Sequence, residues 1–145
     1  MPSSAALWGE VEAALSQRDQ AATEGKAELH EPSPPLVLVL FAHAWDPGSL
    51  HAAGLVRDLG ERGRATCFVV EGEDGPEAAA RTEHGVRVSP TIVLFWRGAP
   101  MRVRRPGWAD DAKVVGAVER GRLDDLVRAA ERAGESGAAV VEYDF

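Results

Sequence analysis

Pro35-Leu36-Val37-Leu38-Val39-Leu40-Phe41-Ala42-His43-Ala44-Trp45-Asp46-Pro47-Gly48-Ser49 is the stretch around which this chain is arranged. Leu36 to Phe41 are six consecutive large apolar residues, the pattern of a strand covered on both faces and so central in a mixed or parallel sheet. A turn follows at Asp46-Pro47-Gly48. Ser49 is the expected cap of a helix whose apolar residues Ala52, Leu55, Val56 and Leu59 fall at i, i+3, i+4 and i+7. Strand, tight turn and helix put the turn at the carboxyl end of a buried strand, where open α/β sheets carry their working surface.

Outward from that stretch, Ser3 or Ser4 caps an expected helix over 5–17, with Leu7, Trp8, Val11 and Leu15 on one face. Residues 18–35 are polar and end in Pro32, Pro34 and Pro35, which reads as a flexible connector. After the central helix, Gly60 and Gly63 mark its end and Thr66 to Val70 form a second buried strand, so a right-handed parallel crossover is expected. Pro76 opens a short helix, Glu77 to Glu83, closed by Gly85. Thr91 to Trp96 is a third buried strand. A turn at Arg97-Gly98 leads to Met101 and Val103, which alternate with Arg102 and Arg104 as in a half-exposed edge strand. Arg105 to Lys113 is a loop, a last helix spans 119–133, and the tail after 134 either lies loose or adds a strand.

One domain over 1–145 is expected, an α/β chain with a four-stranded mixed sheet and helices on both faces. No apolar run spans a membrane, no signal-like N-terminal pattern stands out, and a single cysteine, Cys67, fits a reducing compartment. The formal net charge of −7 argues against wholesale wrapping by nucleic acid. His30, His43, His51 and His84 lack metal-ligand spacing, so no metal and no cofactor is expected.

The element order resembles the thioredoxin fold. Where a thioredoxin carries Trp-Cys-x-x-Cys, this chain carries Trp45-Asp46-Pro47-Gly48-Ser49, so Asp46 and Ser49 stand in the cysteine positions. A carboxylate and a hydroxyl cannot exchange disulfides, and no catalytic residue and no enzyme activity are expected. Ser89-Pro90-Thr91 resembles the step that faces the thioredoxin turn, and Pro90 is the cis-proline candidate. Asp46 reads better as a turn-former and helix-start anion than as a catalytic carboxylate. Ser49 reads better as a cap than as a nucleophile served by His43 or His51, and Cys67 as a buried, inert thiol. Arg97, Arg102, Arg104 and Arg105 read as a solvated edge rather than a phosphate site. Trp45, at the turn, and Trp108, in a polar loop, are candidate interface anchors.

Phe41-Ala42-His43-Ala44-Trp45-Asp46-Pro47 further resembles the spliceosomal thioredoxin-like proteins, the small component of the U5 snRNP and its paralogue. Their pattern is Phe-Gly-His-Asp-Trp-Asp-Pro, matched at His43, Trp45, Asp46 and Pro47 but not at Ala42 or Ala44. The connector is longer than theirs, their tail after the last helix is basic where Glu131, Arg132, Glu135 and Ser136 here are mixed, and Ser49 stands where they usually have a cysteine. The resemblance implies a nuclear, non-catalytic pre-mRNA splicing factor of the U4/U6.U5 tri-snRNP. It implies docking on large spliceosomal proteins through Trp45, Asp46 and Pro47 and the final helix. RNA contact would be indirect or local, with no membrane and no small-molecule substrate. The alternatives are a redox-inactive thioredoxin-like chaperone or assembly module outside splicing, and a thioredoxin-class oxidoreductase.

Overall fold

The structure, a computed structural model, describes residues 6–24, 34–43, 45–87, 90–104, 114–115 and 119–142. Its elements are α1 (Trp8–Glu24), β1 (Leu36–Phe41), α2 (Pro47–Glu61), β2 (Thr66–Val70), α3 (Gly75–Glu83), β3 (Thr91–Trp96), β4 (Ala99–Arg104), β5 (Val114–Val115), α4 (Arg120–Glu135) and β6 (Val140–Glu142). The four predicted strands lie in the order β2-β1-β3-β4. β1 pairs parallel with β2 through Val37↔Thr66 to Phe41↔Val70, and antiparallel with β3 through Leu36↔Trp96 to Phe41↔Thr91. Every residue of β1 is buried, as a strand between two neighbours and two helical layers requires.

The strand period of two divides the core. Leu36, Leu38 and Leu40 face Ala52, Val56 and Leu59 of α2 and Leu123, Leu126 and Val127 of α4. Val37, Val39 and Phe41 face Trp8 and Val11 of α1 and Ala80 of α3. Helices thus cover both faces. Arg62 ties α2 to α4 by reaching Asp124 at 2.9 Å, and Arg120 reaches back to Asp58 at 3.0 Å. Gly134 lets α4 lie flat on the Trp96 ring, because a methyl group there would collide with the indole.

Several boundaries differ from expectation. α1 starts at Trp8 and runs to Glu24, so the connector predicted from residue 18 begins later. Nothing before Gly25 breaks the helix, and Arg18 is buried near its end, donating to Thr66 Oγ1 at 2.7 Å and to the Pro34 carbonyl at 2.9 Å. The tail after 134, expected to lie loose or to add a strand, carries β6, which pairs parallel with β4 and buries Val141. β4 is therefore not an edge, and Arg104 sits 3.7 Å from Glu142 of its new neighbour. The two-residue β5 adds a short rung to the start of β3. The β3–β4 turn has φ of 51° at Arg97 and 87° at Gly98, the sign a two-residue hairpin turn needs. Residues 25–33, with His30, and the loop Arg105–Lys113, with Trp108, lie outside the described residues.

Candidate functional site

The site forms where β1 ends. The Ala42 N–H donates to Val70 O at 2.9 Å, extending the β1–β2 ladder one rung past the strand. The Asp46 N–H then donates to His43 O at 3.0 Å, which closes the turn, and the Leu50 N–H donates to Asp46 O at 3.0 Å as α2 begins. Asp46, not Ser49, is the N-cap of α2, and Pro47 occupies the first helical turn. The Asp46 side chain lies one turn before Ser49 and takes both its donors: the Ser49 N–H at 3.2 Å and the Ser49 hydroxyl at 2.9 Å. Ser49 Oγ in turn accepts from the His43 N–H at 3.1 Å. The predicted cap was one turn late because serine and aspartate are equally good N-caps and only the folded turn separates them.

Ser49 is 1% exposed, and its hydroxyl meets a carboxylate and a backbone N–H, not an imidazole nitrogen. That geometry is a cap network rather than an activated nucleophile. Pro90 is buried beside the turn, since a methyl group placed on Gly48 would lie 3.8 Å from Pro90 Cδ. The Ser89–Pro90 bond, the cis candidate, involves Ser89, which lies outside the described residues, as does Ala44.

Trp45 is 74% exposed, although tryptophan is usually well buried. One face of its indole stacks on His43, with ring centres 5.0 Å apart and planes 24° from parallel. His43 Nε2 meets Glu73 Oε1 at 3.1 Å. Leu50, in the first turns of α2, is 55% exposed. Trp45, Asp46, Pro47 and Pro90 thus converge at one end of the sheet. The other candidate contact region, α4, does not join them. It is bound to Asp58 and Arg62, about 16 Å along α2 from Pro47.

Three side chains that shape the site had no motif to announce them. Arg81 of α3 is 9% exposed and lies over the Phe41 ring at 5.5 Å. It donates to the carbonyls of Ala42 at 2.8 Å, Gly72 at 2.9 Å and Val70 at 3.3 Å, so one guanidinium closes the carboxyl ends of both parallel strands. Burial lowers its pKa, and nearby Glu73 works in the opposite direction. Glu73 is 30 residues from its partner His43, a distance no local pattern spans. Glu77 accepts from the Trp8 N–H at 2.6 Å and so caps α1 from another helix.

Cys67 lies far from the turn. It lines a cleft of about 540 Å³ with Pro34, Arg57, Gly60 and Thr66. It is half-buried rather than fully buried, and desolvation pushes its thiol up to about 12, so at neutral pH the sulfur stays protonated. Among the described residues no three His, Cys, Asp or Glu side chains converge as a metal site. Among the same residues no helix is long and apolar enough to cross a membrane.

No family model and no curated protein matches this chain. Solved structures do. A thioredoxin variant from Halobacterium salinarum superposes with a TM-score of 0.54 at 22% identity, over 78% of this chain and 81% of that one. The reduced thioredoxin pre-protein of Schistosoma mansoni gives 0.56 at 19% identity over 83% and 89%. Oxidised thioredoxin O2 of Arabidopsis thaliana gives 0.52 at 20% identity over 81% and 86%. At such identities the likeness speaks to architecture, and with the sheet order above it shows a thioredoxin-like fold.

Proposed function

We propose that this chain is a non-catalytic thioredoxin-fold protein that works by docking, with Trp45, Asp46 and Pro47 as its contact turn. One observation carries the reading. At the head of α2, a carboxylate and a hydroxyl, Asp46 and Ser49, are hydrogen-bonded at 2.9 Å in the positions where thioredoxins hold two sulfurs. The chain's one cysteine is elsewhere, and disulfide exchange within a chain needs two thiols. The same turn leaves a large indole in solvent, an arrangement suited to an interface anchor.

The finer reading is a nuclear pre-mRNA splicing factor of the U4/U6.U5 tri-snRNP, a compact wedge held by large protein partners. Its support is the phrase Phe41–Pro47, matched to the spliceosomal thioredoxin-like proteins at His43, Trp45, Asp46 and Pro47. The mixed charges of Glu131, Arg132 and Glu135, where that family's tail is basic, fit a divergent member or the paralogue, and the alternative is a redox-inactive assembly module outside splicing. Affinity purification of the tagged full chain from its native cell, with Trp45→Ala alongside, tests both. Splicing proteins retained by the parent and lost by the variant support the first, and client enzymes or membrane components support the second. An insulin-reduction assay with dithiothreitol is expected to stay at background, and turnover above it overturns the non-catalytic reading.

A further inference from the structure

We propose that the free face of the Trp45 indole receives an arginine side chain from the docked partner, the guanidinium stacking on the ring within the negative field of the acidic residues near the turn. The inference rests on the reading of this turn as a docking surface and names the chemistry it selects. Three observations support it. First, the indole is held in place before any partner arrives: His43 covers one face at 5.0 Å, while 74% of the residue remains in water. Second, the charge nearby is negative. Asp46 follows Trp45 in the chain, and Glu73 meets the histidine stacked on the indole at 3.1 Å. Glu73 belongs to a loop with three carboxylates in four residues, Glu71, Glu73 and Asp74. Third, the buried cation Arg81 directs its donors at the carbonyls of Ala42, Gly72 and Val70, so its guanidinium is turned to the strand ends and not to the indole. An exposed indole flanked by carboxylates attracts a cation through the ring quadrupole and through charge together. Arginine suits it better than lysine, because a planar guanidinium stacks and offers paired donors to a carboxylate. Leu50, 55% exposed, extends the surface with an aliphatic contact beside the cation.

The test uses the full chain and defined probes: acetyl-Gly-Leu-Arg-Leu-Gly-amide and the same peptide with citrulline, lysine or glutamate in place of arginine. The readout is the indole N–H resonance that disappears from the NMR spectrum in Trp45→Phe. The arginine peptide is expected to move that resonance saturably. The citrulline peptide, isosteric but neutral, should bind about two- to fivefold more weakly, and the glutamate peptide more weakly still. Glu73→Gln, at a side chain largely in solvent, should shrink the arginine–citrulline gap without changing the fold. Equal binding of the arginine and citrulline peptides overturns the proposal, as does a shift that leaves the Trp45 resonance still. If the peptides fail while Trp45→Ala still loses the native partner, the docking surface stands and its preference for arginine falls.

Discussion

Asp46 does the work of a helix cap at the head of α2. Its carboxylate satisfies the N–H and the hydroxyl of Ser49, and the hydroxyl passes the chain of bonds on to the His43 backbone. A cap of this kind is worth about 1 kcal/mol, and up to about 2 where it also orders a turn. Asp46→Ala is therefore expected to lower the unfolding free energy by about 1–2 kcal/mol, read as a shift of the urea midpoint at constant slope. Asp46→Asn keeps a side-chain acceptor and should cost about half a kcal/mol or less. Equal losses in the two variants would mean that the charge, not the cap, matters for stability. The sequence shows that this position holds a carboxylate and not a thiol. It does not show which of Asp46 and Ser49 is the cap, because both are good at it and the choice depends on the tertiary turn.

At the scale of elements, the parallel pair β1–β2 ends in a cluster of three carbonyls, of which Val70 O also accepts from the Ala42 N–H, and α3 supplies a donor to all three. Arg81 reaches Ala42, Gly72 and Val70 at once. Arg81→Leu keeps an apolar side chain on α3 but removes the guanidinium over Phe41 and every one of these donors. Val70 O retains the Ala42 N–H, so the loss falls on Ala42 O and Gly72 O. One buried acceptor, Ala42 O, left without a charged donor should cost about 1–3 kcal/mol, and the exposed Gly72 O can turn to water. The loop 71–74 should also loosen, read as faster amide exchange at Glu71 to Asp74. Loss of stability with unchanged exchange in that loop would show that Arg81 packs rather than fastens. Elements with strong periodicity were legible in the sequence: β1, β2 and β3 fall where their apolar runs place them, and α2 and α4 where their buried faces recur. Short elements were not. β5 and β6 have two and three residues, too few to show a period, so a strand in the tail was only one of two options, and both form because β3 and β4 offer them a ladder. Arg81 on its helix reads as a solvent-facing arginine until the strand ends are placed beneath it.

For the whole molecule, the two faces of the sheet respond differently to acid, and the α1–α3 face holds the sensitive group. His84, the C-cap of α3, is partly buried against Trp8, Phe41 and Phe95, with ring centres 5.6, 6.3 and 5.7 Å away. Burial lowers its pKa from the ordinary 6.5, and Glu83, 3.8 Å away, works weakly against that shift. The folded protein thus prefers the neutral imidazole. As pH falls through the unfolded value near 6.5, the unfolded chain takes up a proton that the fold resists, and stability is lost until the folded pKa is passed. The same packing ties three distant elements together, because Trp8 opens α1 and its N–H is held by Glu77 of α3. Protonating His84 therefore strains the contact of α1 and α3 with the sheet, while Leu123, Leu126 and Val127 of α4 pack on the opposite face. The melting temperature is expected to fall between about pH 7 and about pH 5, before the carboxylates titrate. His84→Leu, which fills the site with an apolar side chain that cannot charge, should flatten that slope while leaving the decline below about pH 4 in place. A slope in His84→Leu as steep as in the parent would move the origin of the acid sensitivity to another group.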